Sequence, residues 1–158
     1  MGALDRLREL GLELPEPPQA LASYIPTRLV PIGDGRALLY VSGQVWLRDG
    51  TPVMTGRVPD EVSFEDACEN ARRCALNLLA QVHAAAGLDS VEAVAQVTGF
   101  VMSADDFGDQ PRVINAASDL LHEVLGDAGR HTRMAVGTNA LPLRVPVELG
   151  GVVVVRQA

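Results

Sequence analysis

The chain has 158 residues and carries 13 Lys and Arg against 20 Asp and Glu, a formal net charge of -7 at pH 7. The length fits a single domain, and a hydrophobic fraction of 47% can build a core, which excludes intrinsic disorder. The acidic balance offers no basic patch for phosphate backbones, so we predict no nucleic-acid partner. Without a membrane-spanning apolar run or an export signal, we predict a cytoplasmic protein that does not bind membranes.

The first residues predict an arm in front of a folded domain. Residues 3–11 could form a short helix, and Leu14-Pro15-Glu16-Pro17-Pro18 would end it, because proline lacks the backbone donor and fixes φ. We therefore divide the chain into a helical and proline-rich arm, 1–19, and one domain, 20–158.

Three short extended segments come next. The segments 29–32 and 37–41 flank Gly33-Asp34-Gly35, which is typical of a tight turn between two strands. A further extended piece, 45–47, leads into Asp49-Gly50, the strongest short-range turn signal of the chain. This region therefore predicts a hairpin followed by another extended piece and a turn.

Two longer helices follow, each with one apolar stripe at spacings of three and four. Ser63 is a good N-cap with acidic residues in the next turn, so the first long helix begins there and ends at Gly87. Asp109-Gln110-Pro111 opens the second, and Gly126 ends it. The stripes consist of Phe64, Cys68, Ala71, Ala75, Leu78, Val82 and Ala85, and of Val113, Ala117, Leu120, Leu121 and Val124.

A strand within 91–101 and strands at 134–137 and 147–155 complete the order ββ(β)αβαββ. This order predicts an α+β fold in which both helices cover one face of one sheet. The runs Leu38-Leu39-Tyr40-Val41 and Val152-Val153-Val154-Val155 are apolar on both sides of the pleat. Since no third long helix is left to cover the second face, we predict a homo-oligomer in which a partner subunit buries it.

Two charged residues in apolar strands are candidates for chemistry. Arg133 opens the strand at 134–137, where an inward guanidinium would hold a carboxylate through two parallel hydrogen bonds. A surface position, or an ion pair with a protein carboxylate, would explain it without a function. Glu148 follows Val145-Pro146-Val147, where burial would raise its pKa and suit it to proton transfer, unless it faces solvent at the sheet margin.

Weaker signals accompany these two residues. Ser42-Gly43 ends a strand with a glycine that would let backbone N–H groups approach an anion, or would simply turn the chain. Asn115, an amide in an apolar helical run, and Tyr24, ahead of the first strand, would reach into a site or only pack locally. The histidines and cysteines show no zinc-ligand spacing and no nucleotide-binding motif occurs, so we predict neither a metal nor a cofactor.

Several segments carry a resemblance to a known family. They are Tyr40-Val41-Ser42-Gly43-Gln44, the Asn-Ala-Arg-Arg helix up to Leu79, Asn115 in Val-Ile-Asn-Ala, and Arg133 followed by Leu141-Pro142 and Val145-Pro146-Val147-Glu148. Together they resemble the Rid family, the YjgF-type reactive-intermediate deaminases once labelled endoribonuclease L-PSP. The resemblance runs from about Ser23 to Val155, and the C-terminal signature is its most specific part.

The resemblance implies a chorismate mutase-like fold: one mixed sheet, two long helices on one face, and a homotrimer with clefts between subunits. It also implies hydrolysis of enamines and imines such as 2-aminoacrylate to 2-keto acids and ammonium. Arg133 would grip the substrate carboxylate, and Glu148 would position or activate water. The other cleft residues would be Tyr24, Ser42, Gly43, Asn115 and Ala135. The best-known members have cysteine at the position of Ala135, where the alanine backbone could make the same contacts.

Other functions stay open beside this one. A non-catalytic trimer could bind small carboxylates such as 2-keto acids in the same clefts. RNA cleavage, which the older family label suggests, is opposed by the net charge of -7. Chorismate mutase activity is disfavoured because a dicarboxylate would want more cations than Arg133, although Arg130 and Arg144 are near it in sequence.

Overall fold

The computed structural model describes residues 2–157, and the predicted elements follow one another in the expected order. The strands are β1 (Thr27–Gly33), β2 (Arg36–Gln44), β3 (Leu47–Arg48), β4 (Thr51–Pro52), β5 (Val91–Met102), β6 (Thr132–Thr138) and β7 (Val147–Arg156). The α-helices are α1 (Ala3–Glu9), α2 (Phe64–Ala86) and α3 (Gln110–Leu125). Short 3-10 helices lie at Leu88–Ser90, Gly126–Gly129 and Pro142–Arg144.

Five of the strands form one mixed sheet in the order β1-β2-β7-β5-β6. Neighbouring strands are antiparallel except β5 and β6, which run parallel, so the predicted α+β class with a mixed sheet is confirmed. Strands β3 and β4 form a separate hairpin around Asp49 and Gly50. The φ angles of these two residues, 51° and 76°, are those of a tight two-residue turn, which confirms the turn signal.

Helices α2 and α3 cover one face of the sheet. Helix α2 begins as predicted, because Ser63 Oγ accepts the N–H of Asp66 at 3.0 Å, and it ends at Gly87, whose φ is 78°. The apolar stripe of α3 is buried completely, with Val113 and Leu121 both at 0% exposure. The two helices therefore supply the core as their periodicity predicts.

Helix α2 is buried on more sides than its apolar stripe predicts. All residues from Cys74 to Val82 are buried, including the amide side chains of Asn77 and Gln81. Segments without regular secondary structure cover these amides. Gln81 Nε2 donates to the carbonyl of Pro18 at 2.6 Å, and Asn77 Nδ2 donates to the carbonyl of Val45 at 2.8 Å. These segments shield the side of α2 that the sheet does not reach.

Helix α1 fastens the N-terminal arm to the core. Leu7 is buried in the same hydrophobic cluster as α2 and α3, and Arg6 Nη1 donates to the carbonyl of Val124 at 3.2 Å. The helix stops short of residue 11 because Gly11 adopts a φ of 68° and the N–H of Leu12 turns back to Leu7 O at 2.9 Å. The domain boundary between residues 19 and 20 stays a prediction.

The opposite face of the sheet is apolar, and no other element within residues 2–157 covers it. Tyr40, Phe100 and Met134 on this face are 45%, 39% and 53% exposed. By register and alternation, the same face also carries Val30, Leu38, Val136, Val152 and Val154. The uncovered apolar face is therefore confirmed, and the partner subunit that would bury it stays a prediction.

Candidate functional site

Glu148 lies on the open face of β7, between two residues that point into the core. Val147 and Leu149 are fully buried, so strand alternation turns Glu148 away from the helices. Its side chain borders a cavity of about 410 Å³. The lining includes three predicted cleft residues, Tyr24, Ser42 and Gly43, and the apolar side chains of Leu21, Val45 and Leu143. Four of the predicted site residues therefore meet at one cavity.

Gly43 lets the backbone of β2 come directly against the side chain of Glu148. The pairing of β2 with β7 shifts register between Val41 and Gln44, which is the mark of a β-bulge. A Cβ on Gly43 would collide with Oε1 of Glu148 and would lie 2.8 Å from its Cδ. The missing side chain of Gly43 thus leaves the room that the carboxyl group occupies.

Burial raises the pKa of the Glu148 carboxyl above its ordinary value of 4.5. The cause is desolvation, which penalises the charged form. A carboxyl group with a raised pKa holds its proton closer to neutral pH and can release it again, which suits general acid and base catalysis. The direction expected for the pKa of Glu148 is therefore confirmed.

Ser42 and Tyr24 hold the end of the N-terminal segment beside this cavity. The Ser42 hydroxyl donates to Ile25 O at 2.8 Å, and the Ser42 N–H donates to Pro26 O at 2.9 Å. The phenol oxygen of Tyr24 accepts the N–H of Leu21 at 3.4 Å. Because the amide of Ser42 is already bonded, Ser42 fixes the cavity wall. The expectation that backbone N–H groups of Ser42-Gly43 approach an anion then falls on Gly43 and stays a prediction.

Arg133 lies on β6, the outer strand, and its side chain turns to the helix-covered side of the sheet. Nη1 donates to Ser118 Oγ and Nη2 donates to the carbonyl of Pro111, both at 3.0 Å and both on α3. Arg133 is half-buried, and none of the ion pairs within residues 2–157 includes it. Neutral oxygen atoms therefore hold the guanidinium, and its charge stays available to an external anion.

Asn115 and Ala135 are the two other predicted site residues near Arg133. Asn115 lies on α3, the helix that holds the guanidinium, and Ala135 lies on β6, the strand that carries Arg133. Pro111 and Ser118 both accept hydrogen bonds from the guanidinium. Asn115 is exposed on α3 one turn after Pro111 and one turn before Ser118. Ala135 follows Arg133 by two residues on β6, so it points the same way and packs against the core. Helix and strand periodicity therefore place Asn115 and Ala135 on the side of their elements that faces Arg133.

The predicted site residues thus fall into two groups. We call Tyr24, Ser42, Gly43 and Glu148 the acid half-site, and Asn115, Arg133 and Ala135 the arginine half-site. An arginine can bind the carboxylate of a small ligand. A carboxyl group that exchanges protons can transfer a proton to or from the ligand carbon next to that carboxylate.

The two half-sites lie on opposite faces of the sheet within one protomer. Arg133 points towards the helices, whereas Glu148 points away from them, and β5 lies between their strands. In register, Arg133 pairs with Val97 of β5, which pairs with Gly151 of β7 rather than with Glu148. One small molecule therefore cannot contact both side chains in a single protomer.

Ser118 and His131 are candidate functional residues that the sequence did not single out. His131 Nε2 lies 2.9 Å from Ser118 Oγ, which also accepts the hydrogen bond from Arg133. Helix spacing places Ser118 beside Asn115, and His131 lies two residues before Arg133, immediately ahead of β6. Their sequence distance from the two candidates was the signal that could have found them.

No three His, Cys, Asp or Glu side chains within residues 2–157 are grouped so as to hold a metal ion. No helix in the range combines the length and apolar character needed to cross a membrane. Cys74 is fully buried, and burial raises the pKa of its thiol, so the thiol stays protonated.

The fold and the two half-sites define an α+β protein of the chorismate mutase-like type, with groups suited to a carboxylate and to proton transfer. The family model described as YjgF/chorismate mutase-like, which carries a provisional endoribonuclease label, matches residues 4–150. The chain therefore belongs to the YjgF/chorismate mutase-like family, which confirms the resemblance seen in its motifs.

Three relatives illustrate this membership. The chain is 36% identical over 149 residues to Protein TCP17 of Trypanosoma cruzi, covering 93% of this chain and 90% of TCP17. It is 40% identical to Atu1372 of Agrobacterium tumefaciens, a protein of unknown function, with a TM-score of 0.83 and coverage of 97% and 91%. It is 25% identical to TdcF of E. coli, solved with bound serine, with a TM-score of 0.62 and coverage of 89% and 93%.

Replacing Gly43 with alanine should displace the Glu148 carboxyl group without unfolding the domain. The colliding atoms belong to a flexible side chain, so we expect a stability loss at the low end of the roughly 1–3 kcal/mol that overpacking costs. Once moved towards solvent, the carboxyl group should titrate closer to 4.5, which NMR titration of labelled protein measures. Gly108→Ala is the control, because a Cβ there meets open space. An unchanged pKa of Glu148 in Gly43→Ala would contradict this account.

Glu148→Gln should stabilise the fold at neutral pH. In the wild type the folded state binds this proton more tightly than the unfolded chain, so stability falls as the pH rises above 4.5 towards the folded-state pKa. The amide has no charge to desolvate, so Tm at pH 7 should rise by roughly 1–3 °C. Below about pH 4 the difference should vanish, because both states are then protonated. The same Tm difference at both pH values would disprove the desolvation account.

Proposed function

We propose that this protein is a hydrolytic deaminase, which converts enamines and imines of the 2-aminoacrylate type into 2-keto acids and ammonium in the cytoplasm. The observation that carries the proposal is the presence of two complementary groups: a guanidinium held only by neutral oxygen atoms, and a carboxyl group whose pKa burial raises. A 2-imino acid offers a carboxylate to the first and an electrophilic carbon to the second. Membership of the YjgF/chorismate mutase-like family supports this assignment.

The two half-sites would meet between the subunits of a homotrimer. Arg133 and Glu148 cannot reach one ligand within a protomer, but β6 is an outer strand that a neighbouring copy can approach. The exposed apolar face around Tyr40 and Phe100 supplies surface whose burial would stabilise such an assembly. Each cleft would combine the arginine half-site of one protomer with the acid half-site of the next.

In this cleft Arg133 would bind the substrate carboxylate with the N–H groups that Ser118 and Pro111 leave free. Protonated Glu148 would give its proton to the terminal carbon of the enamine, which becomes an iminium ion. The Glu148 carboxylate would then take a proton from water as the C–O bond forms, and return it to the nitrogen of the tetrahedral intermediate. As the C–N bond breaks and the carbonyl forms, Glu148 takes the hydroxyl proton, and the released ammonia is protonated by solvent.

A second candidate is a non-catalytic trimer that binds small carboxylates. The arginine half-site alone would suffice for this role, and the related TdcF was solved with bound serine, which is a small carboxylate. RNA cleavage has less support, because the net charge of -7 repels phosphate backbones.

The deaminase proposal is tested by measuring ammonium and pyruvate released from 2-aminoacrylate generated enzymatically. Wild type should accelerate release over spontaneous hydrolysis, and Arg133→Ala should lose at least about tenfold in kcat/KM because the carboxylate loses its charged partner. Arg36→Ala, which removes an exposed ion pair with Glu92, is the control. If wild type is no faster than Arg133→Ala yet still binds 2-ketobutyrate, the non-catalytic candidate replaces the deaminase.

Mixed assemblies test whether the cleft is shared between subunits. Arg133→Ala and Glu148→Gln should each lose most of the deaminase activity when assembled alone. When equal amounts are refolded together, random assembly should pair an intact Arg133 with an intact Glu148 in about a quarter of the clefts. Refolding each variant alone is the control. Absence of any recovered activity, with normal assembly, would rule out the shared cleft.

A further inference from the structure

A chain of polar groups runs behind Arg133 and connects the backbone ahead of β6 with helix α3. His131 Nδ1 lies 2.6 Å from the carbonyl oxygen of Gly129, and His131 Nε2 lies 2.9 Å from Ser118 Oγ. Ser118 Oγ in turn accepts the hydrogen bond from Arg133 Nη1 at 3.0 Å. All three side chains are half-buried, so solvent does not freely replace these contacts.

The direction of each hydrogen bond follows from the two fixed ends of the chain. A carbonyl oxygen only accepts, so Nδ1 of His131 carries the ring proton and Nε2 of the neutral ring is an acceptor. A guanidinium only donates, so Ser118 Oγ must accept from Arg133. The hydroxyl proton of Ser118 is therefore directed to Nε2 of His131, and its oxygen faces the guanidinium.

We propose that Ser118 and His131 are positioning residues, which hold the guanidinium of Arg133 in the orientation that binds the substrate carboxylate. This proposal rests on the proposed function, in which Arg133 binds that carboxylate. Ser118 takes one N–H of Nη1 and Pro111 takes one of Nη2, so each of these nitrogens keeps a second N–H for a ligand. His131 keeps the oxygen of Ser118, rather than its proton, towards Arg133.

A hydroxyl group holds Arg133 without neutralising its charge. A carboxylate in the place of Ser118 would form an ion pair and compete with a bound acid. Asp119 lines the same cavity of about 380 Å³ as Arg130 and Arg133, yet the hydrogen bonds of Arg133 go to Ser118 and to the backbone of Pro111. The positioning groups are thus neutral, and the charge of Arg133 remains for the ligand.

Binding of 2-ketobutyrate to the full-length protein measures the positioning effect. Ser118→Ala and His131→Phe should each raise Kd about tenfold, because Arg133 loses its oriented acceptor. His131→Gln should restore most of the affinity, because its side-chain oxygen can accept from Ser118 in place of Nε2. His122→Phe is the matched control. His122 lines the cavity beside Arg133 but its ring contacts Gly126 O and not Ser118, so the Kd of this variant for 2-ketobutyrate should equal that of the wild type.

Steady-state kinetics and the His131 tautomer give two readouts that a general loss of structure would not imitate. With a deaminase substrate, KM should rise by the same factor as Kd while kcat stays within about twofold. Nitrogen NMR of labelled wild type should show the neutral His131 ring with its proton on Nδ1, and Ser118→Ala should shift the Nε2 resonance. A ring proton on Nε2 in the wild type would overturn the proposal.

The outcomes separate this proposal from the proposed function. If Arg133→Ala abolishes binding while Ser118→Ala and His131→Phe bind as tightly as wild type, the positioning role alone is overturned. If Arg133→Ala binds 2-ketobutyrate normally, the role of Arg133 fails and both proposals fall. His131→Phe and His131→Gln differ in the acceptor, so equal Kd values in these two overturn the positioning role even where Ser118→Ala does not fold.

Discussion

The alternation of side chains along a β-strand limits what one protomer can do by itself. It directs Arg133 towards helix α3 and Glu148 to the open face, with β5 between them. This separation preserves both groups. A guanidinium close to Glu148 would lower the pKa of the carboxyl group, and the carboxylate would in turn neutralise the guanidinium. Within one protomer the sheet therefore prevents an ion pair between Arg133 and Glu148.

Helix α3 links the hydrophobic core to the arginine half-site. Ile114 on its inner side is fully buried and packs so closely on β5 that a Cβ at Gly99 would lie 2.6 Å from Ile114 Cδ1. Pro111 and Ser118 on the same helix hold Arg133. Because protein interiors are close-packed, a shift of α3 against the sheet would move Ser118 Oγ and the Pro111 carbonyl, the two acceptors of the guanidinium, together. The packing of the core and the orientation of Arg133 are thus coupled through one helix.

Local sequence signals predicted the helices, strands and turns of this fold. Contacts between residues distant in sequence determine the burial of α2 and the relative placement of the site residues, which the sequence did not predict. Ser63 and Asp49-Gly50 act through their own neighbours, so a cap and a turn were readable from residue order. The burial of α2 depends on Gln81 meeting Pro18, which is distant in sequence. Arg133 and Glu148 were each identifiable as charges in apolar strands. Their placement on opposite faces follows from register and strand order, which no local pattern contains.

The segment 21–26, which precedes β1 and forms one wall of the cavity beside Glu148, has no regular secondary structure. Leu21 and Tyr24 in this stretch are 60% and 45% exposed, and Ser42 fastens its end. Substitutions or insertions in such a stretch cost little folding free energy, in contrast to changes in the strands that carry Gly43 and Glu148. Substitutions in this stretch can therefore alter the size and polarity of the cavity while Gly43 and Glu148 keep their positions in the sheet.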